Sequence, residues 1–260
     1  MNLALIRLLH LASPTLPVGA YTYSQGLEWA VESGVVRDEA TALAWIGDCL
    51  EWGVAQGEAV YLAAMLAAWR EDDRDRLAAL DADFLASRET AELHAETLQM
   101  GHSLVRLLRD LNLDGDEAAP AGAGLPANRR PIAGKPAPTA GLVRGGHGEP
   151  RGPASGLEGF STPSFPLAWS HAAARWAIPD QDAVAGYLWA WAENQVLAAL
   201  KAVPLGQTAG QRLLLVLGER LPDLARRAIA TPAEQACNFL PALAIASSRH
   251  ETQYTRIFRS

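Results

Sequence analysis

Asp180–Val203 reads DQDAVAGYLWAWAENQVLAALKAV, and this run decides the fold. Val184, Leu188 and Trp191 recur at spacings of four and three, the period of an apolar stripe along a helix. Pro179 suits the first helical turn and Pro204 ends the segment. Tyr187, Asn194 and Lys201 recur every seven residues and therefore share one face, a polar seam beside the apolar stripe.

The same texture fills Asp38–Leu111, where Trp45, Cys49 and Trp52 run parallel to Leu43, Ile46 and Leu50. Asp38 is a good N-cap there, Gly53 and Gly57 weaken or bend the helix, and Ser87 is placed to cap a further helix to about Leu111. Beyond Pro204 a helix is expected from about Gly206 to Leu221, with Pro222 marking a break or a new start. Another is expected from Pro232 to near Ser247, accommodating Pro241. No alternating run of β-branched residues competes with the helical period. The expectation is an all-α bundle, with three segments before a change of composition and three or four after it.

That change is abrupt. Residues 112–163, 52 in number, hold 11 of the 22 glycines and 8 of the 16 prolines, a composition that does not support a packed core. Neither flanking half has an obvious core of its own. The reading is one all-α domain over 1–260, with 112–163 as a long flexible low-complexity insertion.

Bulk properties narrow the class. A chain of 260 residues with 49% hydrophobic content can bury a sizeable core. A net charge of −7 argues against a nucleic-acid surface, which needs a basic face to displace counterions. Cys49 and Cys237 both lie in apolar helical patterns and read as small core residues rather than a disulfide framework. The opening MNLALIRLLHLASPTLPVGA is interrupted by Arg7 and His10, so it reads as an amphipathic helix of a cytoplasmic protein rather than a secretory segment.

Motifs for common enzyme chemistry fail on inspection. Gly134-Lys135 is followed by Pro136 and has Arg129 where a phosphate loop needs glycine. The string GAGLPA, Gly122–Ala127, follows no strand. The six histidines, His10, His94, His102, His147, His171 and His250, include no i,i+4 pair for a metal. No catalytic residue is assigned, and the chain reads as a non-enzyme.

Four constellations remain. In Leu11–Gly34, LASPTLPVGAYTYSQGLEWAVESG, Thr22 and Gln25 have capping-box spacing and Gly34 suits a left-handed stop. The crowding of Tyr21, Tyr23, Ser24, Gln25 and Glu28 exceeds what a turn needs, and the tyrosines either face a partner or pack inward. Lys201 is one of two lysines against 20 arginines, which points to a site wanting a compact ammonium; a solvated lysine at a helix C-terminus is the plainer reading. Pro204–Gln211, PLGQTAGQ, exposes Gln207 and Gln211 at a helix start or uses them to satisfy local backbone. In Ser247–Ser260, SSRHETQYTRIFRS, Tyr254, Ile257 and Phe258 form an i,i+3,i+4 apolar face among Arg249, His250, Arg256 and Arg259. Such a segment either docks on another protein or folds back on its own bundle.

These stretches, with Gln99–Leu104 (QMGHSL) and the run from Tyr187 to Leu214, resemble in sequence and order the urease accessory protein UreF family. The resemblance covers nearly all of 1–111 and 164–260; the insertion is longer than the family's usual connection. It implies an all-α, dimerising assembly factor that bridges UreD (also called UreH) and the GTPase UreG in a complex inserting nickel into apo-urease. It further implies that no cofactor is stably bound, nickel and GTP being handled by partners. Lys201 matches a lysine implicated in coupling to the GTPase, and the tail around Arg249, Tyr254 and Arg256 matches a segment that docks on UreD. Tyr187, Trp191 and Asn194 are candidates for a dimer or helix face. One alternative is a chaperone binding nickel directly through His10, His102 or His250; another is a helical hydrolase using Glu28 and a histidine.

Overall fold

A computed structural model describes residues 2–111 and 156–260. Eleven α-helices and no strand occur among the described residues. They are α1 (Leu3–Leu11), α2 (Leu27–Glu32), α3 (Glu39–Asp48), α4 (Glu58–Arg70), α5 (Arg74–Ala86) and α6 (Ala91–Asp110), then α7 (Phe165–Arg175), α8 (Asp180–Ala202), α9 (Gln207–Gly218), α10 (Leu221–Ala230) and α11 (Pro241–His250). The fold is all-α as expected, with more and shorter helices than the periodicity suggested.

Local chemistry sets most boundaries. The Asp38 side chain accepts from Thr41 N–H at 2.8 Å, starting α3 as expected. A π-helical turn, Cys49–Val54, follows α3 directly, and Gly53 and Gly57 mark the change of direction into α4. Ser87 is not the cap of α6: it closes α5, and Thr90 caps α6 by accepting from Leu93 N–H. Pro179 is the N-cap residue of α8 rather than its first turn. The helix expected from Pro232 begins only at Pro241, which needs no N–H donor there.

One contiguous hydrophobic core draws on residues both before 112 and after 155. Helix α7 packs against α4 and α6, and α8 runs through the middle against α1, α2, α3, α4, α9 and α10. At the centre Phe165, Trp169 and Tyr187 stack mutually, with Trp169 and Tyr187 edge to face at 5.3 Å between centroids. Two expectations need correction. Residues 156–163 belong to the fold and not to the insertion: Gly156–Gly159 is a 3₁₀ turn, Leu157 is fully buried, and Phe160 lies 6.1 Å from the Trp69 ring. A buried leucine contributes roughly 1.5–3 kcal/mol, enough to hold that turn despite its glycines. Cys49 is buried, as expected, but Cys237 is exposed because it precedes α11 in extended chain. The remainder of the expected insertion, 112–155, lies outside the described residues.

Candidate functional site

The Leu11–Gly34 stretch does not form the capping box its spacing suggested. Ala20–Thr22 is a 3₁₀ turn, the Thr22 hydroxyl donates to Gly19 C=O at 2.8 Å, and Gly26 starts α2 with φ +79°. Gln25 sits at φ 50°, an unusual conformation for a residue with a Cβ. Its side chain explains why. The amide Nε2 donates to Glu96 Oε1 at 2.8 Å, and its Oε1 accepts from Trp191 Nε1 at 2.7 Å. A side chain committed to α6 and α8 cannot also reach back to Thr22. Gly34 does take the left-handed conformation expected of it, φ +78°.

The C-terminal segment comes back over this turn. Ser24 N–H and Gln25 N–H donate to Ser260 C=O at 2.6 and 3.0 Å, and the Ser24 hydroxyl donates to the same oxygen at 2.6 Å. Arg259 N–H donates to Thr22 C=O at 2.8 Å. Three carboxylates complete the seat. Glu28 accepts from Ile257 N–H at 2.6 Å and Phe258 N–H at 2.9 Å, and meets His250 Nε2 at 3.2 Å. Glu92 faces His250 Nδ1 at 2.7 Å and accepts from Arg256 at 2.6 Å. Glu96 accepts from the Ser260 hydroxyl at 2.8 Å. The expected apolar helical face of Tyr254, Ile257 and Phe258 is therefore not formed, because α11 stops at His250 and the backbone beyond it is engaged by side chains instead. Phe258 turns inward, while Tyr254, Arg256 and Ile257 stay exposed.

The seam on α8 lies against the same construction. Tyr187 is buried and donates to Glu58 Oε2 at 2.7 Å, while Arg88 donates to Glu58 Oε1 at 2.6 Å. Asn194 Nδ2 donates to Tyr23 C=O at 3.1 Å. Lys201 is exposed, its Nζ 5.5 Å from the Phe258 ring centroid and 5.9 Å from that of Tyr21. Tyr23, Ser24, Glu28, His250 and Phe258 are thus placed beneath the surface, where they hold the segment, whereas Tyr21, Lys201, Gln207, Gln211, Arg249, Tyr254 and Arg256 face outward.

Burial decides the electrostatics. Desolvation pushes Glu96 up to about 7, against hydrogen bonds from Gln25 and Ser260 that favour its charged form and aided by the neighbouring charge of Glu58. Burial likewise raises Tyr187 well above the usual phenol range, with Glu58 adding to the effect. Glu92 and Glu96 belong to no motif by spacing, yet a signal is present in the sequence: Glu96 lies three residues after Leu93 and four before Met100, a carboxylate inside a buried stripe.

Glu28 does meet a histidine, but both carboxylate oxygens are taken by tail N–H groups, so the pair is structural. Among the described residues no group of three or more His, Cys, Asp or Glu side chains is arranged to hold a metal ion, and His10, His102 and His250 are not brought together. No described helix is long and apolar enough to cross a membrane. GAGLPA and Gly134-Lys135 lie outside the described residues.

Fold and site together define a helical protein whose most elaborate polar construction fastens its own C-terminal segment beside an exposed lysine. The chain belongs to the UreF family, which it matches over residues 36–218. It is 56% identical to the urease accessory protein UreF of Azoarcus sp. (strain BH72), over 99% of this chain and 96% of the relative. The UreF of Dechloromonas aromatica (strain RCB) is 52% identical over 99% and 98%, and that of Methylobacillus flagellatus 44% over 99% and 98%.

Proposed function

We propose that this protein is a non-enzymatic urease maturation factor, a scaffold and GTPase-coupling component that acts in the cytoplasm with UreD and UreG to insert nickel into apo-urease. Near-complete coverage of urease accessory relatives at 44–56% identity is the observation that carries this reading. In it the chain is one all-α unit that forms a homodimer, and nickel and GTP are handled by the partners rather than by a cofactor site here. The exposed side of the tail, Arg249, Tyr254 and Arg256, is the surface for UreD. Lys201, with Gln207 and Gln211 at the start of α9, is the surface toward UreG. Arginine and aromatic side chains of this kind are the residue types enriched in binding hot spots.

Co-expression with UreD and UreG, followed by mass measurement of the purified assembly, tests the reading. A complex containing all three is expected. The double variant Tyr254→Ala/Arg256→Ala should weaken UreD capture by roughly tenfold or more while preserving the helical signal. Undiminished capture would remove the tail from the UreD interface.

A further inference from the structure

We infer that Phe258 and Tyr21 are positioning residues for Lys201, so that the seating of the C-terminal segment determines where this ammonium is presented. Lys201 lies in the last turn of α8, and among the described residues no carboxylate pairs with it. Its Nζ instead lies within cation–π distance of two rings, Tyr21 at 5.9 Å and Phe258 at 5.5 Å. A lysine on a flexible four-carbon stem has no fixed direction of its own; the rings supply one.

The rings belong to segments far apart in sequence but tied together in space. Tyr21 sits on the 3₁₀ turn whose Thr22 C=O accepts from Arg259 N–H, the residue after Phe258. Phe258 is only 5% exposed, and its own N–H is gripped by Glu28. Its ring cannot leave Lys201 unless the segment lifts from the Glu28 and Ser24 contacts. Any partner that takes hold of the tail's exposed side and draws it outward removes one ring from the ammonium. The lysine thus reads the position of the tail. That this reading reaches a GTPase rests on the function proposed above; the clamp itself does not.

The chain's two lysines make the test direct. Reductive ¹³C-methylation of the full-length protein keeps the positive charge and gives two lysine methyl signals, Lys201 being assigned by its loss in Lys201→Arg. In the intact protein this signal is expected upfield of free dimethyl-lysine through ring currents. Phe258→Leu and Tyr21→Leu should each move it back toward the free position. Because Tyr21 is 60% exposed, Tyr21→Leu keeps the test valid if Phe258→Leu perturbs folding. A Lys201 signal at the free position in the intact protein, or one that Tyr21→Leu does not move, overturns the clamp.

In the assembled complex with UreG, both ring variants should change GTP turnover by about two- to fivefold, in the direction set by Lys201→Ala. If Lys201→Ala alters turnover and neither ring variant does, the link from tail to coupling is overturned. If Lys201→Ala itself changes nothing, the coupling role of the lysine falls, while the methyl shifts still decide the clamp.

Discussion

Glu28 shows how much one side chain organises here. Its two oxygens serve the Ile257 and Phe258 amides and the His250 ring, so a single carboxylate on a six-residue helix fixes the course of the chain's last residues. Hydrogen bonds to a charged group are each worth about 1.5–3 kcal/mol. Glu28→Ala should therefore speed hydrogen exchange at the Ile257 and Phe258 amides by about 10- to 100-fold, while amides of α4 and α7 exchange as before; protection retained at 257–258 would show that other contacts hold the segment. Glu96 carries a different signature. Its folded pKa of about 7 lies above the ordinary 4.5, so between those values the folded state binds the proton that the unfolded state has released. Its contribution is fully present below about pH 4.5 and is lost as pH rises through about 7. Urea midpoints should thus fall from about pH 5.5, inside that window, to about pH 8, above it, and Glu96→Gln should flatten that slope. A slope unchanged in Glu96→Gln would assign it to another group.

At the scale of elements, Gly101 has the least room of the described glycines, where α6 meets the chain entering α7. A Cβ built on Gly101 would stand 2.7 Å from Ser164 C and press on Pro163 C=O, while Thr97 on the same helix accepts from Phe165 N–H at 3.1 Å. Neither neighbour is a flexible side-chain end, so Gly101→Ala should cost about 1–3 kcal/mol by overpacking. Gly34→Ala meets open space but must hold φ +78°, and about 1 kcal/mol is expected from that strain alone. Chemical denaturation of both variants checks the order; an equal or inverted ranking would refute the tight seam. Much of this level was legible in sequence. Asp38, Gly34, Pro204 and the α8 stripe announced themselves, because capping and helix periodicity are local. The failures differ in kind. Thr22 and Gln25 had the spacing of a cap, but the outcome depended on what Glu96 and Trp191 demanded from a distance; Ser87 is instead used by the helix just before it, its hydroxyl donating to Phe84 C=O.

At the scale of the whole molecule, the site proved much less legible than the fold. Spacing can say that Glu28, Gln25 and Phe258 are unusual; it cannot say that they meet, since the bond from Ser24 to Ser260 spans 236 positions. Burial divided the sequence candidates into those that build the seat and those that face outward, and that division has no counterpart in local pattern. The family resemblance reached the right lineage without that knowledge, because it compares order along the chain and needs no contacts. The same separation also has a kinetic meaning. A ribosome adding about 5–20 residues per second leaves Ser24 without its partner for roughly 10–50 s, long enough for local helices to form first. The segment beside Lys201 is thus put in place only after the helices it packs on have been made, so the surface proposed for partners is completed on a chain whose core has already had time to assemble.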